Sequence, residues 1–134
     1  MLKFEIDRKK CDTLIEINTL INSNQSDVKD LLRRIVESAT LLAEAEASSL
    51  LLVNPENNKL YFEISLGTKG TEVQRCSLNM GEGIAGWVAA NNRSLVVNDV
   101  QSDSRFYADI SKKINFPTQS ILAVPMRVKE RCVG

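Results

Sequence analysis

The sequence predicts an α+β fold: a central antiparallel sheet, N-terminal helices packed on one face, and short helices with a lid loop on the other. Three observations carry this expectation. Two amphipathic stretches of helical period fill residues 7–45. Short apolar runs separated by turn-forming residues fill most of the remainder. Among these runs, Met80-Gly81-Glu82-Gly83-Ile84-Ala85-Gly86-Trp87-Val88 sets glycines and an acid directly before an apolar run. That pattern reads as a tight loop feeding a helix N-terminus, where backbone N–H groups lack intrahelical partners.

Taken in order, Asp7 to Ile21 reads as a helix with Cys11, Leu14, Ile17 and Ile21 on one stripe. Asn22-Ser23-Asn24-Gln25-Ser26 is a polar break, with Ser26 placed as an N-cap. A second helix is expected from Asp27 to Ala45. Its apolar positions Val28, Leu32, Ile35, Ala39 and Leu42 alternate steps of four and three, and Leu31, Val36 and Ala43 widen the stripe. A stripe this wide packs on a sheet and still leaves room for a partner helix.

Ser48 to Val53 is apolar on both alternating faces, as in a central strand covered on both sides. Asn54-Pro55-Glu56-Asn57-Asn58 is a connecting loop. Leu60, Phe62, Ile64 and Leu66 then alternate with Tyr61, Glu63 and Ser65, a half-buried neighbouring strand. A turn over Gly67 to Gly70 leads to a weaker strand from Val73 to Leu78. The glycine loop enters a short helix from Ile84 to Ala90, stopped by Asn91-Asn92. Leu95 to Asn98 is a short strand. Asp99 to Pro117 is a long connection of the kind that carries function. Ser120 to Val128 is a strand made irregular by Pro125, and Lys129-Glu130-Arg131 is a hairpin turn. The chain then reaches Cys132-Val133-Gly134, so the returning, final strand is expected to be missing. The chain accordingly reads as a fragment, or as one lacking disordered tail residues.

Composition narrows the function. The 134 residues suffice for one domain with a core, and 17 basic against 17 acidic residues leave no nucleic-acid footprint. No apolar run reaches membrane-spanning length and the charged N-terminus is no signal peptide, which points to the cytoplasm. Cys11, Cys76 and Cys132 form no CxxC pair, against a disulfide framework or a zinc site. The count of histidines is 0, which removes Cys–His and Ser–His mechanisms and the commonest haem and metal ligand. Asp99, Asp103 and Asp109 share one loop region, where acids more often cap and form turns than catalyse. The chain is therefore read as a non-enzyme with no covalent cofactor and no bound metal.

The order Gly81-Glu82-Gly83-Ile84-Ala85-Gly86, Asn98-Asp99-Val100, Arg105-Phe106-Tyr107 and Asn115-Phe116-Pro117-Thr118-Gln119-Ser120-Ile121-Leu122-Ala123-Val124-Pro125 resembles the GAF domain family of sensory modules. The resemblance runs from about Val28 to Gly134 and implies a GAF/PAS-like sheet, with residues 1–26 as a separate signalling or dimerisation helix and 27–134 as the domain. It is strongest to the cyclic-nucleotide-binding GAF domains of phosphodiesterases and cyclases. It places Ser49 on the first strand in the pocket, Ile84 and Ala85 where the glycine loop enters its helix, and Tyr107 and Ser111 in the covering segment. Thr118 is placed near base or ribose, with Ser65, Asp99 and Phe106 completing the expected ligand shell. Each also has a plain structural role open to it, as strand hydroxyl, core side chain, loop anchor or cap.

Two departures from the family pattern stand out. Ser65 and Leu66 replace an aromatic and an acid that would read a guanine, which tilts the expectation to cAMP over cGMP. The Asn-Lys, Phe, Asp-Glu signature of cyclic-nucleotide-binding relatives would fall beyond Gly134. The resemblance also includes a sulfoxide-reductase branch that relies on pocket cysteines, and none lies in Gly81 to Gly86 or Asp99 to Thr118. The expected function is binding of a small cytosolic ligand, with regulation of an output domain outside this chain and homodimerisation through the N-terminal helices. A ligand-free dimerisation or interaction module is the alternative.

Overall fold

Two aspartates start the first two helices. In a computed structural model, which describes residues 7–22, 27–67, 76–105 and 118–134, Asp7 caps α1 (Arg8–Ile21) by accepting the Lys10 amide at 2.8 Å. Asp27 caps α2 (Val28–Leu42) by accepting the Lys29 amide at 3.0 Å and the Asp30 amide at 3.4 Å. The sequence reading gave that role to Ser26, which lies outside the described residues. Asp27 takes it because its extended backbone turns the carboxylate back onto the first amides.

The chain forms two compact units, Met1–Ser48 and Ser49–Gly134. In the first, α1 lies against α2. No α1 residue is buried, and Cys11, Leu14, Ile15 and Ile21 are exposed. On α2 the buried residue is Val36, flanked by half-buried Leu32 and Thr40, while Val28 is 66% exposed and Ala39 is also exposed. Of the expected stripe, Leu32, Ile35 and Leu42 are half-buried beside Val36, while Val28 and Ala39 fall on the exposed side. A helix of 3.6 residues per turn drifts off a strict seven-residue repeat. The Thr40 hydroxyl donates to the Val36 carbonyl at 2.6 Å and pairs with the Ser48 hydroxyl at 2.5 Å.

In the second unit, β1 (Ser48–Asn54) and β2 (Lys59–Leu66) are neighbours joined across the turn Pro55–Asn58. Asparagine side chains build that turn. Asn54 Oδ1 accepts the Glu56 amide, Asn57 Oδ1 accepts the Lys59 amide, and Asn58 takes φ +57°. β3 (Ser77–Asn79) runs antiparallel to β2 with Leu60 opposite Leu78. Both leucines are buried with Ala89 of α3 (Gly83–Asn91), and Leu51, Val53, Met80, Ala85 and Cys132 pack around them. Cys132 thus behaves as a small apolar residue.

A second cluster sits on the other flank of α3. There β4 (Leu95–Val97) pairs antiparallel with β5 (Ile121–Ala123), Val97 opposite Ile121. Ile84, Val97 and Val100 form its buried centre, with Leu95, Ile121 and Ala123 against them. The long connection opens with a 3₁₀ turn at Val100–Ser102, where the sequence suggested no regular structure.

Two strand expectations need correction. The strand expected over Ser120 to Val128 is split into β5 and β6 (Arg127–Val128), because Pro125 has no N–H for a ladder. Among the described residues the strands group as β1-β2-β3, β4-β5 and β6-β7, the last described strand being β7 (Arg131–Cys132), which keeps the expected α+β fold. The hairpin expected to lack its return has one. The Val133 amide donates to the Met126 carbonyl and the Met126 amide to the Gly134 carbonyl, both at 2.8 Å, while Val53 donates to the Val133 carbonyl at 2.9 Å. Those backbone groups are therefore satisfied. No described helix is long and apolar enough to cross a membrane.

The hairpin is tied to the end of α3. Asn92 adopts the left-handed C-cap conformation. Arg127 Nε donates to Asn92 Oδ1 and Nη2 to the Asn92 carbonyl, both at 2.6 Å, and Asn92 Nδ2 donates to the Glu130 carbonyl at 3.1 Å. The guanidinium also opposes the negative end of the helix dipole. Replacing Arg127 with Ala is expected to lower the unfolding free energy by about 1–2 kcal/mol, with Arg127→Lys recovering part of it. A urea midpoint unchanged by Arg127→Ala would show that the tie contributes nothing.

Candidate functional site

The site is built around the entry to α3. Gly81 and Gly83 take φ +85° and +68°, a region that glycine enters without steric cost. The Gly81 amide donates to the Gly86 carbonyl at 2.9 Å, the Glu82 amide to the Asn79 carbonyl at 3.0 Å, and the Gly86 amide to the Glu82 carbonyl at 3.1 Å. A Cβ on Gly86 would stand 2.7 Å from the Asn79 carbonyl oxygen, so the helix approaches the end of β3 as closely as a bare backbone permits.

Glu82 occupies the N-cap position, as the sequence suggested, but its side chain makes no capping bond. Its carboxylate is one methylene longer than that of an aspartate and reaches back to accept Asn79 Nδ2 at 2.9 Å. The Glu82 side chain therefore caps none of the first-turn amides of Gly83, Ile84 and Ala85. An uncapped helix start of this kind offers N–H donors and a favourable dipole to an anion.

The candidate side chains have definite partners, and the register that sets Lys59 opposite Asn79 places Ser65 and its partner Ser49 toward the other end of β2 from the α3 entry. Ile84 is 4% exposed and its side chain belongs to the core with Val97 and Val100. Ala85 is half-buried against the Leu60 cluster. Ser49 on β1 is exposed and Ser65 on β2 half-buried, and their hydroxyls lie 3.3 Å apart, either one able to donate. Asp99 is exposed and caps the 3₁₀ turn, accepting the Gln101 amide at 3.2 Å and the Ser102 hydroxyl at 2.8 Å. The Val100 amide donates to the Gln119 carbonyl at 2.9 Å. That one bond brings Asp99 and half-buried Thr118 to the same point of the backbone. Phe106, Tyr107 and Ser111 lie outside the described residues.

One constellation escaped sequence reasoning. The Arg105 amide and Nε both donate to Asp103 Oδ1 at 2.8 Å, and Nη2 donates to Oδ2 at 2.5 Å. The same guanidinium carbon stands 4.8 Å from the centroid of the Trp87 ring on α3. Hydrogen bonds from Arg105 hold the Asp103 carboxyl down at about 2, below its ordinary 3.8, and raise Arg105 in turn. The signal was an acid two residues before an arginine, but the Trp87 partner is distant in sequence. Among the described residues there is no group of acids and thiols able to hold a metal ion, and Cys11, Cys76 and Cys132 are in no disulfide.

Comparison with known proteins identifies the family and the fold. The GAF domain family matches the chain over residues 27–134. A probable 3',5'-cyclic phosphodiesterase, pde-5, of Caenorhabditis elegans is 27% identical over 136 residues, spanning 95% of this chain and 19% of that protein. The dual 3',5'-cyclic-AMP and -GMP phosphodiesterase 11A of Takifugu rubripes is 29% identical over 116 residues, spanning 78% of this chain and 12% of its own length. The chain thus spans less than a fifth of either relative. Among solved structures, the GAF domain of a phosphoenolpyruvate-protein phosphotransferase from Acinetobacter superposes with a TM-score of 0.76 at 21% identity, covering 96% of this chain and 75% of that one.

Two outcomes are expected. Gly86→Ala should destabilise the fold by more than ~2 kcal/mol, because the Asn79 carbonyl it meets is backbone and cannot swing away. A melting temperature unchanged by Gly86→Ala would show the approach to be looser than the geometry states. The Asp103–Arg105 pair has a depressed carboxyl, so its contribution is complete above the ordinary pKa of 3.8 and fades as pH falls through about 2. Trp87 emission should follow that titration between roughly pH 4 and 2 in the wild type and stay flat in Asp103→Asn. Identical acid profiles for the two proteins would rule the linkage out.

Proposed function

The chain belongs to the GAF domain family, and we propose that within it the chain is a sensory module. It binds a small cytosolic ligand, a cyclic nucleotide, and passes occupancy to a signalling output domain outside the sequence. The observation that carries this reading is the uncapped first turn of α3, with Glu82 diverted to Asn79. A cyclic phosphate bears one negative charge, and a helix N-terminus stabilises such a charge by up to ~1–2 kcal/mol in a partly buried setting. The names of the two relatives, both phosphodiesterases of cyclic nucleotides, support the same ligand class.

In this reading the Ile84 and Ala85 amides hold the phosphate, and Ser49, Ser65, Asp99, Phe106, Tyr107, Ser111 and Thr118 surround base and ribose. The Ser49–Ser65 hydroxyl pair offers a donor and an acceptor in either order. Neither Ser65 nor Leu66 supplies the carboxylate that would pair with a guanine, so cAMP is preferred to cGMP. The module itself catalyses nothing, holds no covalent cofactor and works in the cytoplasm as a homodimer through α1 and α2. The exposed apolar side chains Leu14, Ile15 and Ile21 on α1, and Val28 and Leu41 on α2, support that pairing.

The same exposed residues favour the second reading, a ligand-free dimerisation module. Calorimetry separates the two. Saturable heat is expected from cAMP, with weaker binding of cGMP. Ala85→Pro deletes one first-turn amide and should weaken cAMP binding by about tenfold or more, with helix content followed by circular dichroism to separate this from a loss of fold. Heat from neither nucleotide on folded protein removes the sensory reading. A dimer that survives in that case, and dissociates when residues 1–26 are deleted, leaves the interaction module standing.

A further inference from the structure

The face of β4 and β5 turned away from α3 is apolar and open. Side chains alternate along a strand, and Leu95, Val97, Ile121 and Ala123 take the α3 side, in the cluster with Ile84. Val96 and Leu122, directly opposite each other, take the other side. The alternation carries past Pro125, because Arg127 bonds Asn92 at the end of α3, and Cys132, opposite Arg127, packs in the cluster with Ala89. Val124 and Val128 therefore extend the row of Leu122 along the far side. Val96, Leu122, Val124 and Val128 are each between 60% and 64% exposed. Continuous apolar runs such as Leu95-Val96-Val97 and Ile121-Leu122-Ala123-Val124 belong to strands covered on both faces, and here one face is open.

α1 carries a stripe that matches this row. Its half-buried side chains, Lys10, Thr13, Ile17 and Leu20, share one face, and α1 lies against α2. Cys11, Leu14, Ile15 and Ile21 are exposed on another face. The lengths agree: the 14 residues of α1 rise about 21 Å, and the strand from Leu122 to Val128 spans about 20 Å. The charges agree on a direction. Arg131 stands opposite Val128 at one end of the row, whereas Arg8, Lys9 and Lys10 crowd the N-terminal end of α1. The C-terminal end of α1, negative by its dipole, suits the Arg131 end, which sets Cys11 toward Val96 and Leu122.

We infer that α1 of one copy docks on the Val96–Leu122–Val124–Val128 face of a second copy, each copy giving its α1 and receiving the other's. This rests on the homodimer of the proposed function and names the surface that α1 meets. A helix about 21 Å long and about 10 Å across covers about 200 Å² on each of two surfaces, and twofold symmetry makes the contact twice, about 800 Å² in all. Standard interfaces bury at least about 1,200 Å², so the dimer is of the weak, reversible class and dissociates on dilution.

The full chain would be followed by sedimentation velocity across a concentration series, with circular dichroism as the check on folding. Ile15→Glu and Leu122→Glu each place a charge in the contact, and each is expected to raise the dimer dissociation constant by about tenfold or more. Both side chains are exposed in the single chain, so both variants should keep their helix content; Val124→Glu replaces Leu122→Glu if that variant does not fold. Copper-phenanthroline oxidation of Leu122→Cys and of Val96→Cys is expected to give, in at least one of them, an intermolecular disulfide to Cys11, mapped by mass spectrometry.

A dimer broken by Ile15→Glu and untouched by the substitutions on the sheet face overturns the proposal and leaves a homodimer through the helices standing. A dimer broken by Leu122→Glu alone overturns both. Absence of the mapped bond in both cysteine variants, with or without a Cys11–Cys11 bond, overturns the proposal even where both glutamates dissociate the dimer. A wild type that stays monomeric at every concentration overturns the homodimer reading and the proposal with it.

Discussion

The contact on which the unit from Ser49 to Gly134 depends is the close approach of Gly86 to the Asn79 carbonyl. It allows the chain to leave β3, reverse through two left-handed glycines and start a helix within a few residues. That helix is short, and it is held by both flanks. Ala85 and Ala89 pack with the Leu60–Leu78 cluster, and Ile84 packs with Val97 and Val100. Its far end is fixed by the left-handed Asn92 and the Arg127 guanidinium. Because each cluster alone is small, α3 cannot be shifted without disturbing both, and its N-terminal amides are correspondingly well placed for recognition.

The candidate site residues serve structure first. Asp99 caps a turn, the Ser49 and Ser65 hydroxyls bridge two strands, and the Val100 amide reaches the Gln119 carbonyl. None of these excludes a ligand. An aspartate with one oxygen on an amide and another on a hydroxyl retains lone pairs, and a serine hydroxyl both donates and accepts. A recognition surface assembled from satisfied groups has a physical advantage. Emptying it leaves no buried donor or acceptor stranded, so the unliganded state is not penalised.

Much of the fold was legible because short-range physics dictated it. The amphipathic periods, the asparagine-rich turn at 54–58 and the glycines before α3 each act within a few residues, and the elements followed. Misreadings arose where a specific partner, near or far in sequence, decided the outcome. Glu82 sits where a cap belongs, yet Asn79 draws its carboxylate away. The return of the hairpin depends on Val53, far from Val133 in sequence. Arg105 was visible as part of a motif, but its stacking on Trp87 needed the fold. In the same way the sequence named Ser49 and Ser65 as separate candidates, and only the β1–β2 pairing makes them one hydroxyl pair.

Family membership fixes the scaffold and leaves the ligand to be argued from the site, since one scaffold hosts many functions. The kind of donor an anion meets decides which anion is preferred. Backbone amides at a helix start have fixed direction and partial charge, so they suit a compact monoanion. A guanidinium carries a full charge on a side chain that can pivot, so it gains with each added negative charge. This chain carries both kinds of donor, and it pairs the guanidinium of Arg105 with Asp103. Any signal sent onward is bounded by the difference in ligand affinity between the two states of the module. Amides held by a two-sided helix supply such a difference when α3 or its neighbours move, whereas a free surface cation would attract anions almost equally in both states.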